Sequence, residues 1–243
     1  MTSSSSWLPA LAGRHWVALF AWVLIVGLAP ASHTDDRAQR TTSYNDLIAL
    51  FNDWRAFQKP RLVNDVPDYR AASMAAQHRE LAAYQRRLQA IDPSGWPIHQ
   101  QADYHIVRAE MNGLDFDHRV LRPWANNPAF YVTFFPDESD QPAREGPFAY
   151  GAVELWSYRF PLSGDDAAKI EAGLRIIPAL LDQARTNLAG NGRDLWTYGT
   201  ASIRQQSASL AQFQAKLPET ATGLKPSVER ARAATEAFAA WLD

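Results

Sequence analysis

From residue 43 onward, apolar residues recur every three or four positions in runs of helical length, interrupted by one long stretch that breaks the pattern. The first run is Tyr44, Leu47, Phe51, Trp54 and Phe57. Ser43 stands at the N-cap, Asp46 makes a capping-box variant, and Lys59-Pro60 ends the run. A second helix is expected to open at Pro67-Asp68, with Leu81, Tyr84, Leu88 and Ile91 as later apolar positions and Asp92-Pro93-Ser94-Gly95 as its break. Pro97 suits the first position of a third helix. Its stripe is read as Ala102, Ile106, Ala109, Gly113, Phe116 and Val120, and it ends before Pro123.

Arg122 to Leu162 has a different character. It carries Pro123, Pro128, Pro136, Pro142, Pro147 and Pro161, and the run Phe130 to Phe135 reads as a short strand or a buried extended segment. A loop of this length inside a compact domain is uncommon and is often functional. The bland reading is an aromatic-anchored excursion across the helices.

Ser163, with Asp166, then opens a fourth helix. Its stripe of Ala167, Ile170, Leu174, Ile177, Leu181, Ala184 and Leu188 is the cleanest periodicity in the chain. Pro178 inside it is expected to kink the helix, and Gly190-Asn191-Gly192 to stop it. Asp194 is read as the cap of a fifth helix carrying Leu195, Ile203, Leu210, Phe213 and Leu217. Pro218 and Gly223 separate it from a sixth with Val228, Ala231, Thr235, Phe238 and Trp241. The expected fold is all-α: an antiparallel, bundle-like array of about six long helices, with a Pro/aromatic-rich excursion between the third and fourth. The Leu/Ala stripes read as core, and no fixed-period repeat points to a solenoid.

The segment before residue 43 reads as targeting, not fold. Arg14 and His15 precede an uncharged run from Trp16 to Leu28, and Ala29-Pro30-Ala31 puts small residues where a signal peptidase reads. At about 1.5 Å per residue that run reaches roughly 20 Å, short of the roughly 30 Å bilayer core. Residues 1–31 are therefore expected to be a signal peptide, residues 32–42 a flexible lead-in and residues 43–243 a helical domain. The alternative is an uncleaved N-terminal anchor, which would be the chain's only tie to a membrane. There is no Arg-Arg pair for the twin-arginine route and no cysteine to carry a lipid. The expected location is periplasmic or secreted.

Zero cysteines also means no disulfide framework, so stability must come from packing. The net charge of −2 gives no basic excess for nucleic acid.

Motifs with chemistry are sparse. There is no H-E-x-x-H, no G-x-S-x-G, no Walker loop and no G-x-G-x-x-G. His99 and Asp103 lie one helical turn apart without a third ligand. The densest polar cluster is on the third helix. Asp103 and Glu110 share a helix face there at a spacing that paired-carboxylate hydrolysis permits, and that any solvated face also gives. Arg119 with Asp115 is an ordinary one-turn pair.

Several strings then combine: Asp53-Trp54-Arg55, Val66-Pro67-Asp68-Tyr69, Gln100 to Tyr104, Val107 to Phe116, Pro128 to Val132, Glu154-Leu155-Trp156 with Phe160-Pro161-Leu162, and Asn187 to Asn191 with Arg193 to Trp196. Together they resemble the N-terminal part of the bacterial domain-of-unknown-function 885 family, over nearly all of the chain from Tyr44. The resemblance implies a mostly helical, exported or membrane-associated protein, grouped with gluzincin-type zinc metallopeptidases. That family's zinc site lies in the C-terminal half of much longer chains, beyond the point where this sequence ends. No residue here inherits a catalytic or metal-ligand role, and zinc is expected only in full-length relatives. On this reading the chain is the N-terminal helical portion, inactive alone. Its partner is the missing C-terminal half, and a peptide is its possible substrate. Asp103, Tyr104, Arg108, Glu110 and Asn112 are the speculative substrate-binding residues. The alternative is a self-contained periplasmic helical binding or scaffold protein.

Overall fold

A computed structural model describes residues 43–138, 147–190, 192–219, 221 and 223–243; the expected signal peptide and lead-in lie outside the described residues. The long helices are α1 (Tyr44–Phe57), α2 (Ala71–Gln89), α3 (Ile98–Phe116), α5 (Gly164–Asn187), α6 (Arg193–Lys216) and α7 (Leu224–Leu242), with a short α4 (Pro123–Asn126). Two two-stranded sheets accompany them: antiparallel β1 (Leu62–Val63) with β2 (Val66–Pro67), and parallel β3 (Phe134–Phe135) with β4 (Val153–Glu154). The all-α expectation is correct.

The helices form two three-helix groups, each with its own core. In the first, Arg87 of α2 pairs with Asp53 of α1, and Gln77 of α2 reaches the Phe57 carbonyl, so α1 and α2 run antiparallel. His78 of α2 meets Asp115 of α3, while Leu88 and Tyr104 line one hollow, so α2 and α3 are antiparallel too. Leu47, Leu50, Trp54, Leu81, Leu88, Tyr104, Val107 and Met111 fill this core.

In the second group, Trp196 Nε1 donates to the Leu242 carbonyl at 3.0 Å and Gln206 reaches Thr235, so α6 and α7 are antiparallel. Glu171 meets Ser227 and Arg185 lies over Phe238, so α5 runs parallel to α7. The α5 stripe of Ile170, Leu174, Ile177, Leu181 and Ala184 is fully buried. Each such Leu or Ile contributes about 1.5–3 kcal/mol relative to exposure. Leu174→Ala would forfeit that and leave a cavity, at a cost of about 2–5 kcal/mol. α5 continues unbroken through Pro178; proline has no N–H, so only the Leu174 carbonyl loses a helical partner.

Four local expectations change. Asn64 and Asp65 take φ of 52° and 63° and fold residues 62–67 into a hairpin, so Pro67 sits in β2 and α2 begins at Ala71. The Phe130–Phe135 run is mostly not a strand: Asn127 accepts from the Ala129 N–H and starts a 3-10 turn over Pro128–Tyr131, leaving only Phe134 and Phe135 extended. Gly192, not Asp194, is the N-cap of α6; Asp194 lies in its first turn, where the helix dipole favours an acid. Trp241 is 42% exposed while Leu242 is buried, so the last turn of α7 points Leu242 inward.

The largest change is on α3. Its buried face is Tyr104, Val107 and Met111. The stripe read as core is on the opposite side: Ile106 is 58% exposed, Phe116 46% and Val120, in the turn that follows α3, 51%; Ile98, outside that stripe, is 85% exposed. α3 is therefore apolar on two faces: one packs in the core with α1 and α2, and the other is largely exposed, with Ile106 bordering α1 at its edge. No described helix is long and apolar enough to cross a membrane.

Candidate functional site

An extended concave feature lies along α6. That helix presents Tyr198, Ser202, Gln205, Ser209, Gln212 and Lys216 on one face, at spacings of four and three. The excursion lies opposite, contributing Phe135, Pro136, Phe148, Trp156, Tyr158 and Phe160. Two hollows open between these walls, of about 200 Å³ and about 460 Å³. Both are lined by Pro136 and Ser209, which makes them one groove.

Gln206 builds the groove's floor. Its side-chain oxygen accepts from the Thr133 N–H at 2.7 Å and the Phe134 N–H at 3.1 Å, and its amide donates to Thr235 Oγ1 at 3.2 Å. All three contacts are buried; the first two fasten β3 to α6, and the third ties α6 to α7. Behind them Tyr131 donates to the Trp124 carbonyl at 2.6 Å and accepts from Asn187 at 3.0 Å. Asn187 also donates to the Tyr69 carbonyl, and the Tyr69 hydroxyl accepts from the Tyr150 N–H. Burial pushes the Tyr69 hydroxyl up to about 12 and raises Tyr131 as well, so both remain neutral hydrogen-bonding groups.

Among the described residues, no charged side chain lines the first hollow, and Asp137 and Lys216 are the charged residues that line the second. Phe148, Trp156, Phe160 and Tyr198 remain 38–59% exposed on its walls. Among the described residues, the Gln205 and Gln212 amides, the Trp156 indole N–H and the Lys216 ammonium make no hydrogen bond or ion pair. The groove thus combines apolar rings with unused donors, the composition of a small-molecule or peptide site.

The five residues singled out on α3 do not converge. Tyr104 belongs to the first core, and with Arg108 and Asn112 it lines a hollow of about 370 Å³ between α2 and α3. Asp103 faces α1, where it accepts from the Tyr44 hydroxyl at 2.6 Å; that bond raises the tyrosine's pKa. Asp103 borders an apolar hollow with Ile48, Phe51 and Ile106. Glu110 is exposed and lines neither hollow.

A second polar cluster sits where α3 becomes a π-helical turn at Asp117–Leu121, a local form that often accompanies functional positions. His78 Nε2 lies 2.9 Å from Asp115 Oδ1, and Arg119 Nε donates to Asp115 Oδ2 at 2.7 Å. The His78 bond, with Arg119, holds the Asp115 carboxyl below its usual range. His118 stacks on His78 and its Nε2 lies 3.1 Å from Gln77 Oε1. The one-turn Asp115–Arg119 pair was readable from the sequence; His78 and Gln77, on another helix, were not. Among the described residues no three His, Asp or Glu side chains are grouped to hold a metal ion.

The α6 row was missed because rows of Ser and Gln usually mark a solvated face. The available signal was the aromatic and proline content of the segment now opposite it.

No family model and no curated protein matches the chain. Among solved structures it is similar to "a putative lipoprotein of unknown function from Shewanella oneidensis", at 15% identity and a TM-score of 0.55. The match covers 82% of this chain and 35% of the other, so the chain spans about a third of that protein's length. At this identity the likeness is one of fold.

Proposed function

We propose that the described domain is the helical, non-catalytic portion of a larger exported, metallopeptidase-like assembly, and that the second apolar face of α3 receives the rest of that assembly. The observation that carries this reading is the exposed row Ile98, Ile106, Phe116 and Val120. Contiguous apolar surface of this kind marks an interaction site. Ala102, Ala109 and Gly113, exposed between these residues, let another element approach closely.

Two further points support it. The fold aligns with about a third of a longer chain, and the strings from Tyr44 onward resemble the front part of a family whose zinc site lies further on. Export is supported by the order of residues 14–31. The Shewanella protein is described as "a putative lipoprotein"; this chain has no cysteine to carry a lipid, so a shared destination would be reached without a lipid on cysteine.

The test uses the purified protein. It should carry no stoichiometric zinc and hydrolyse no peptide, and it should bind a hydrophobic-surface dye. The triple change Ile98→Ser, Ile106→Ser and Val120→Ser should remove a clear share of that dye binding, the remainder belonging to the exposed rings of the α6 groove, while leaving the melt cooperative. Zinc-dependent peptidase activity in this chain alone, or dye binding unaltered by the triple change, would refute the reading.

A further inference from the structure

The geometry points to the α6 groove as a docking site for an uncharged, proline-rich segment in the polyproline II conformation. This goes beyond the reading of α3, since the groove lies on the other helix group and shares no residue with the α3 face.

Strand addition is closed here. A peptide joining β3 as a new strand needs the free edge donors of Thr133 and Phe134, and Gln206 already takes both. Any occupant must therefore be read by side chains. Those side chains offer exposed rings on one wall and unused donors from both: the Gln205 and Gln212 amides and the Trp156 indole. The complementary ligand is rich in acceptors, poor in donors, apolar between its carbonyls and stiff enough to follow a straight helix. A proline-rich chain meets each demand. Proline has a carbonyl and no N–H, and its extended helix has no internal hydrogen bonds and leaves every carbonyl outward.

Charge agrees with this choice. Among the described residues the first hollow is lined by no charged side chain, so a charged ligand would be desolvated there without a described partner. Length agrees as well. From Tyr198 to Lys216 the α6 row spans about 27 Å at 1.5 Å per residue. At about 3.1 Å per residue that holds eight or nine residues of polyproline II. Such a ligand also loses little conformational entropy on docking. A neutral glycan could use the same rings and amides, and the test includes it as the opposing arm.

The experiment is titration calorimetry of the purified protein with decaproline, and in parallel with a neutral hexasaccharide, cellohexaose. The expected result is saturable binding of decaproline at one site. Trp156→Ala and Phe160→Ala should each weaken it at least tenfold, and Gln205→Ala by severalfold, with unchanged melting temperatures, since all three side chains are exposed. Ile106→Ser, on α3, should leave the affinity unchanged. No saturable decaproline binding, affinity indifferent to both Trp156→Ala and Phe160→Ala, or tighter binding of cellohexaose would each overturn the proposal. The α3 reading would survive all three results, because it is scored by dye binding and zinc content.

Discussion

His118 lies stacked on His78, with ring centroids 5.1 Å apart and planes 10° from parallel. Such a stack disfavours a second positive charge. Burial, with the nearby His78, depresses His118 to about 4 from 6.5, against a smaller opposing pull from Asp115. Between those two values the unfolded chain binds the proton and the folded chain does not. Stability is therefore lost as pH falls from 6.5 toward 4, on the order of 2–3 kcal/mol. His118→Gln should flatten the urea midpoint across that window. The neighbouring Asp115 carboxyl, held below 3.8, does not confuse the measurement, because its contribution disappears only at lower pH.

Gln206 is the buried amide that joins β3 to α6, and its replacement by leucine should be costly. The Thr133 and Phe134 N–H groups would be left buried without acceptors, at about 1–3 kcal/mol each. Urea unfolding should show a total loss of roughly 2–6 kcal/mol. Gln206→Glu should recover part of it, since a carboxylate still accepts from both N–H groups. Equal losses for the two variants would mean that packing, not hydrogen bonding, is what Gln206 supplies.

Two helical glycines should respond oppositely to alanine. A Cβ on Gly199 would lie 2.8 Å from the Ala129 nitrogen and 2.8 Å from Pro128 Cβ, where the 3-10 turn seats on α6. Gly199→Ala should destabilise by about 1–3 kcal/mol. A Cβ on Gly113 meets nothing within 4 Å, on the exposed side of α3. Gly113→Ala should stabilise by about 0.5–1 kcal/mol, the helix-propensity difference. Thermal melts of the two variants, side by side, check both signs.

What could be read from the chain and what could not divides on physical lines. On α5 the apolar residues fall on one stripe, so spacing alone identified the buried face. On α3 two stripes share the helix, one through Tyr104, Val107 and Met111 and one through Ile106, Gly113 and Phe116. Periodicity establishes the helix and cannot choose between two faces of equal period; the face through Tyr104, Val107 and Met111 packed inward. The hairpin before α2 was hidden because Asn64 and Asp65 supply its left-handed turn without a glycine. The groove needed tertiary structure altogether, since its walls come from stretches dozens of residues apart. The speculative residues on α3 were chosen for local polar density. Helical geometry then distributes such a cluster around the axis, which is why Asp103 and Tyr104 point to different neighbours.

The aromatic wall of the groove is held from behind by Tyr131 and Asn187, and this bracing should appear as energetic coupling. Tyr131→Phe removes the donor to the Trp124 carbonyl and the acceptor for Asn187. Asn187→Ala removes the same contact from the other side, together with its bond to the Tyr69 carbonyl. Each single change should cost about 1–3 kcal/mol. Because they share one hydrogen bond in a buried network, the double variant should lose less than the sum, by about 0.5–3 kcal/mol. If the bracing positions the wall, Tyr131→Phe should also weaken decaproline binding although Tyr131 lines neither hollow. Additive stabilities with unaltered affinity would mean that the excursion keeps its shape through core packing alone.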